Sequence, residues 1–104
     1  MMLIAKGYRI VARRWKTPFG EIDIVARRRG RHPNIVFVEV KARDDFDAAA
    51  VAVTERNKSR ILAAAEFWRA QHRQDDSCAI RFDVMLVVPG KIPRHIVNAF
   101  DATR

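Results

Sequence analysis

A chain of 104 residues, 49% of them hydrophobic, supports one compact domain over residues 1–104 and excludes intrinsic disorder as its overall character. Its 20 Lys and Arg against 12 Asp and Glu leave a net charge of +8, which points to an anionic partner, nucleic acid first. The single cysteine, Cys78, excludes an internal disulfide, the three histidines lack zinc-ligand spacing, and no apolar run approaches the about 20 residues of a membrane span, so the expected address is the cytoplasm, away from membranes.

Met1-Met2-Leu3-Ile4-Ala5-Lys6 reads as the last turns of a helix, with Gly7 as its stop. Tyr8 to Trp15 reads as a strand with an arginine-rich outer face. Lys16-Thr17-Pro18-Phe19-Gly20 is a turn, and Glu21 to Ala26 is the second strand. Arg27-Arg28-Arg29-Gly30-Arg31-His32-Pro33-Asn34 is the connecting loop. The third strand is Ile35 to Ala42, with Val36, Val38 and Val40 on one face and Phe37, Glu39 and Lys41 on the other. Short loops among these three favour an antiparallel meander. Arg43 to Ala48 is polar and predicts a mobile loop.

Thr54 then caps a helix in which Ile61, Leu62, Ala65 and Trp68 recur at helical spacing, so that one face packs on the sheet. Lys58 projects from that same face near the helix start. Gln71 to Ser77 ends the helix and turns. Ala79 to Val88 alternates as a fourth strand carrying Arg81 and Asp83, and Ile92 to Phe100 is a last strand with Pro93 near its edge. A helix joining the third and fourth strands implies a crossover and a mixed sheet.

The chemistry sits on two segments, Gly20-Glu21-Ile22-Asp23-Ile24-Val25 and Ile35-Val36-Phe37-Val38-Glu39-Val40-Lys41. Residues two apart on a strand share a face, so Glu21 goes with Asp23 and Glu39 with Lys41. A hairpin between the segments brings Asp23 beside Glu39. Two carboxylates and one ammonium then meet at one spot, where a hard divalent cation and an attacking water can be held. An acidic cluster in a basic chain is what a metal-dependent phosphodiesterase acting on nucleic acid requires. Asp23 and Glu39 would hold one Mg²⁺ or Mn²⁺, Lys41 would orient the water or neutralise the phosphate, and Glu21 would be a supporting or alternative ligand. The competing reading is a solvated face on which Lys41 simply pairs with Glu39.

Arg27, Arg28, Arg29 and Arg31 form a basic arm suited to a phosphate backbone, and Arg13, Arg14 and Lys16 extend the charge along the first strand. Trp15 and Phe19 suit buried packing better than base stacking. Asp83 supports the sheet edge through a partner such as Arg81 and stays outside the site. Cys78 reads as a small buried hydrophobe.

Gly7-Tyr8-Arg9-Ile10, Thr17-Pro18-Phe19-Gly20-Glu21-Ile22-Asp23, Phe37-Val38-Glu39-Val40-Lys41, Arg81-Phe82-Asp83-Val84 and Asn98-Ala99-Phe100 together resemble the YraN family of bacterial proteins, in the same order over nearly the whole chain. That family is similar to the PD-(D/E)XK nucleases, especially resolvases of Holliday junctions. The resemblance implies an α/β fold with a restriction-endonuclease-like αβββαβ core, a mixed β-sheet flanked by helices. The first helix is expected to be truncated, because the sequence starts after the Gly-x-x-Gly-Glu-like segment whose glutamate completes many resolvase sites. It further implies metal ligation by Asp23, Glu39 and the main-chain carbonyl of Val40, catalytic work by Lys41, and a site-facing polar residue at Lys58. The expected function is a metal-dependent endonuclease that binds and hydrolyses DNA, at branched structures by analogy. The alternatives are a nucleic-acid-binding module without turnover and a dimeric interaction protein, a homodimer suiting the two symmetric strands of a junction.

Overall fold

The computed structural model describes residues 7–53 and 55–99, with the main chain alone at 55–57. The helix end read at residues 1–6, the Thr54 cap and Phe100 lie outside the described residues. Three strands come first: β1 (Arg9–Thr17), β2 (Gly20–Arg28) and β3 (Asn34–Ala42). Two helices follow, α1 (Phe46–Val51) and α2 (Glu55–Gln71), then a short 3₁₀ turn (Arg73–Asp75), β4 (Ala79–Val87) and β5 (Arg94–Ile96). The sheet runs in the order β1-β2-β3-β4-β5. All neighbours are antiparallel except β3 and β4, which are parallel from Asn34↔Ala79 to Ala42↔Val87. A parallel pair cannot be closed by a tight turn, and the α1–α2 connection supplies the long return. The result is a mixed five-stranded sheet with two helices, an α/β fold consistent with a restriction-endonuclease-like core.

The sheet has two apolar faces. On the helix side, Ile22, Val25, Ile35, Phe37, Phe82, Val84 and Leu86 pack against Ala49 of α1 and against Ile61, Ala64, Ala65 and Trp68 of α2. On the other side, Tyr8, Ala26, Val36, Val38 and Met85 form a second cluster. Strand alternation in β3 is what deals its residues to the two faces, and nearly every one of these side chains is fully buried. Burying each large one contributes about 1.5–3 kcal/mol. Trp15, read as a packing residue, is half-buried, with its ring 6.0 Å from Phe67 and edge-on to Trp68 at 4.9 Å. Phe19 is not buried as expected: at the tip of the β1–β2 turn it is 49% exposed and only leans on Phe67, 6.2 Å away.

Three further sequence expectations need correction. Arg43 to Ala48 is not a loop throughout: α1 begins at Phe46, because Asp45 caps it, accepting the Ala48 amide at 2.7 Å, and Ala48-Ala49-Ala50 are strong helix formers. The last strand spans three residues rather than Ile92 to Phe100. Pro93 has no amide to give to a ladder, and Asn98 turns away at φ 55°. The loop after the second strand starts later than read, since Arg27 and Arg28 pair with Ile35 and Asn34 and belong to β2.

Candidate active site

Main-chain pairing between β2 and β3 stops at Ile24↔Val38. Strict alternation also fails here: Ile22 joins the helix-side cluster, whereas Ile24, two residues on, joins the opposite one. Asp23 lies at this slip of phase. Its carboxylate takes over from the ladder, Oδ2 accepting the Val40 amide at 2.7 Å. In β1 the register slips earlier, between Ile10 and Ala12. Between the pairs Arg13↔Ile24 and Trp15↔Ile22 lies Arg14, held at φ 48°, a left-handed conformation unusual for arginine. The simple alternation that placed Glu21 and Asp23 on one face therefore does not hold. The splay instead aims Asp23 across at β3.

There it meets Glu39. The Glu39 side chain is 7% exposed; Lys41 Nζ stands 3.7 Å from Oε1, and Arg60 Nη2 donates to Oε2 at 2.9 Å. Arg60 comes from α2. Its Nη1 donates to the Glu21 carbonyl at 2.8 Å, and its methylenes lie over Gly20, where a Cβ would come within 2.5 Å of Arg60 Cδ. Gly20 at φ 129° thus serves both the turn and the passage of Arg60. Burial raises the Glu39 carboxyl above its ordinary pKa, and its hydrogen bond with Asp23 raises it further. The charges of Lys41 and Arg60 pull the other way and lose. The Glu39–Lys41 pair of the competing reading is present, but on a buried carboxylate rather than a solvated face.

The family description "Uncharacterised protein family UPF0102" matches residues 1–87. The chain belongs to the UPF0102 family. It is the family, also called YraN, that the sequence motifs resembled. A UPF0102 protein of Nitrobacter winogradskyi is 54% identical over 101 residues, which cover 97% of this chain and 83% of that protein. A UPF0102 protein of Bradyrhizobium diazoefficiens is 55% identical over 101 residues, covering 97% of this chain and 74% of its own length.

Within this UPF0102 fold, the structure brings together Asp23, Glu39 and Lys41, with Val40 alongside through its amide. Glu21 enters through its main-chain carbonyl. Lys58 is half-buried on α2, and the α2 side chain bonded to Glu39 is Arg60, two residues on. Sequence reasoning missed Arg60. Its signal was a basic residue immediately before the apolar run at Ile61 and Leu62, close to the edge of the buried helix face.

The basic residues separate. Arg13, Arg14, Arg29 and Arg31 are exposed. Arg28 lies over the Tyr8 ring at 5.2 Å. Arg27 is not a free member of a basic arm: it forks onto buried Asp75, Nε to Oδ1 at 2.9 Å and Nη2 to Oδ2 at 2.7 Å. Trp68 Nε1 completes that centre at 3.0 Å. Burial pushes Asp75 up, but the Arg27 and Trp68 bonds outweigh it and hold the carboxyl below its usual range. Cys78 beside it is half-buried, and burial pushes its thiol up.

Asp83 stands apart from the site on the opposite face, as read. Arg81 grips it with Nε and Nη2, both at 2.8 Å. His95 Nε2 at 2.6 Å and the Asn98 amide at 2.9 Å supply two more bonds, the latter fastening the segment after β5. Burial works against its ionised form, yet the Arg81, Asn98 and His95 bonds prevail and lower its pKa.

Proposed function

We propose that the protein is a metal-dependent nuclease that binds DNA and hydrolyses its phosphodiester bonds, through Asp23, Glu39 and Lys41. One observation carries this reading: the buried Glu39 carboxylate, with Lys41 at 3.7 Å and Arg60 at 2.9 Å, adjoins Asp23, which the Val40 amide fixes at 2.7 Å, and its pKa is raised despite the two cations. A buried acid perturbed by a like-charged neighbour, next to a lysine, is what a functional carboxylate pair looks like.

The donor set fits a hard divalent cation. Asp23 and Glu39 interact across the β2–β3 splay, and a divalent cation between them would relieve their mutual repulsion. Among the described residues no group of three His, Cys, Asp or Glu comes together. Mg²⁺ or Mn²⁺ would therefore rest on Asp23, Glu39 and water, a sparse set that Mg²⁺ tolerates. The resemblance adds the Val40 carbonyl. When bound, the ion supplies polarisation of the scissile phosphate and neutralises the charge that develops on it. Asp23 is fixed in place by the Val40 amide, so its orientation costs nothing at the moment of reaction. The Lys41 ammonium, 3.7 Å from Glu39, can orient water or offset phosphate charge. Exposed Arg13, Arg14, Arg29 and Arg31 provide largely sequence-independent contacts to the backbone of the substrate. Arg14 stands on the strand next to Asp23.

The test is cleavage of four-way, flapped and linear DNA with Mg²⁺ or Mn²⁺. Activity should appear with one of these substrates and vanish in Asp23→Ala and Glu39→Gln. Cleavage indifferent to Asp23→Ala, or none at all, defeats the reading.

A second reading has its own support. Both Glu39 oxygens are already engaged by cations, which suits a nucleic-acid-binding module without turnover. In that case Asp23→Ala keeps full DNA affinity while Arg29→Ala and Arg31→Ala each flatten its salt dependence by about one ion. A homodimer would use the β5 edge, where Ile92, Ile96 and Val97 are exposed; sedimentation at rising concentration tests it.

A further inference from the structure

We propose that Arg60 is the resident counter-cation of the Asp23–Glu39 pair: its guanidinium holds the position a divalent ion takes, and the ion binds only when that guanidinium leaves Glu39. The inference rests on the metal-site reading above and adds a control to it.

Three features of Arg60 argue for this role. First, it is aimed rather than incidental. One nitrogen donates to Glu39 Oε2 at 2.9 Å and the other to the Glu21 carbonyl at 2.8 Å, so the guanidinium is held at two points between β2 and β3. Second, its stem crosses Gly20, at a place where any side chain on residue 20 would collide with it at 2.5 Å. Third, it has a way out: the Arg60 side chain is 28% exposed, against 7% for Glu39.

Charge decides the rest. Asp23 and Glu39 carry two negative charges, and Lys41 and Arg60 carry two positive ones. A divalent cation entering this balanced cluster meets two like charges at close range, one of them directly on a ligand oxygen. Moving the guanidinium to solvent removes that repulsion and frees Glu39 Oε2. Lys41, at 3.7 Å on the other oxygen, need not move.

The experiment is calorimetric titration of Mn²⁺ into the full chain, in wild type, Arg60→Gln, Arg60→Ala, Arg60→Lys and Asp23→Asn, with circular dichroism to establish folding. Arg60→Gln should bind Mn²⁺ about tenfold more tightly than wild type, the scale expected for removing one partly exposed charge. Added methylguanidinium should reverse the gain in Arg60→Ala, because it refills the vacated position. Asp23→Asn should lose binding. A folded Arg60→Gln whose Mn²⁺ affinity equals or falls below that of wild type overturns the inference and leaves the metal site intact. Should Arg60→Gln fail to fold, Arg60→Lys, which keeps the charge but lacks the fork to Glu21, must still bind a few-fold more tightly; no gain there also overturns it. If no variant, wild type included, binds Mn²⁺, the metal-site reading fails and takes this one with it.

Discussion

Asp83 and Glu39 are one rung apart in the parallel pair of β3 and β4, Asp83 opposite Val38 and Glu39 opposite Val84. They point to opposite faces of the same sheet and both are buried, at 0% and 6% exposure. Asp83 receives a guanidinium fork, an imidazole and a main-chain amide, and its pKa falls. Glu39 also has two cations beside it, yet its pKa rises, because burial and a second acid outweigh them. Counting opposite charges does not separate these two carboxylates. What separates them is whether every oxygen has a donor aimed at it and whether another acid shares the space.

That contrast can be broken by substitution. Asp83→Ala should cost the most, about 3–5 kcal/mol, because it strands Arg81 and His95 and releases the segment after β5. Urea denaturation measures it, and a loss under about 1 kcal/mol would remove the distinction drawn here. Asp75→Asn should cost about 2–3 kcal/mol by the same measurement, since the Arg27 fork loses its charged partner.

Arg14→Gly should act in the opposite direction. Arg14 holds a left-handed backbone beside the Asp23 slip, so glycine should raise stability by about 0.5–1 kcal/mol after its own entropy cost. Thermal melting would reveal whether strain is stored next to the pair; an unchanged or lower midpoint says it is not. Glu39→Gln should alter stability least, by under about 1 kcal/mol at pH 4, while abolishing Mn²⁺ binding.

The pH dependence sharpens the same point. Asp83 and Asp75 have lowered values in the fold. Their stabilisation is present above the unfolded carboxylate range near about pH 4 and is lost as pH falls through their lower folded values. Glu39 is raised, so its sign is reversed. Its contribution is complete below its unfolded value of about 4.3 and is lost as pH rises to the folded one. Without added metal, the stability advantage of Glu39→Gln over wild type should therefore grow as pH rises above about 4 and then level off. A flat difference across that range would mean that Glu39 titrates normally.

Much of the architecture was legible. Turn residues at Pro18-Phe19-Gly20 and Gly30-Arg31-His32-Pro33 punctuate three strands, and the period of Ile61, Ala65 and Trp68 marks the long helix. Arg81 and Asp83, two apart on one strand, were readable as partners. α1 was missed because its apolar content is mostly alanine, and its cap at Asp45 carried the stronger signal. Arg27 was misread because a run of four basic residues looks like one solvated arm, whereas strand alternation sends Arg27 and Arg28 to different sides. Nothing local reveals that Asp75, 48 residues away, receives the first of them.

Local pattern alone determines that Glu39 and Lys41 share a face, since alternation within one strand is a property of the extended backbone. It also determines that Asp23 sits on the adjoining strand of a hairpin, since the loop between them is too short for anything else. Whether the two acids touch was settled by the splay at Ile24↔Val38, which turns a ladder position into a side-chain contact with Val40. That Arg60 reaches them was settled by where α2 packs on the sheet. Both depend on contacts between segments remote in sequence, and the energies that choose such contacts exist only once the chain has folded.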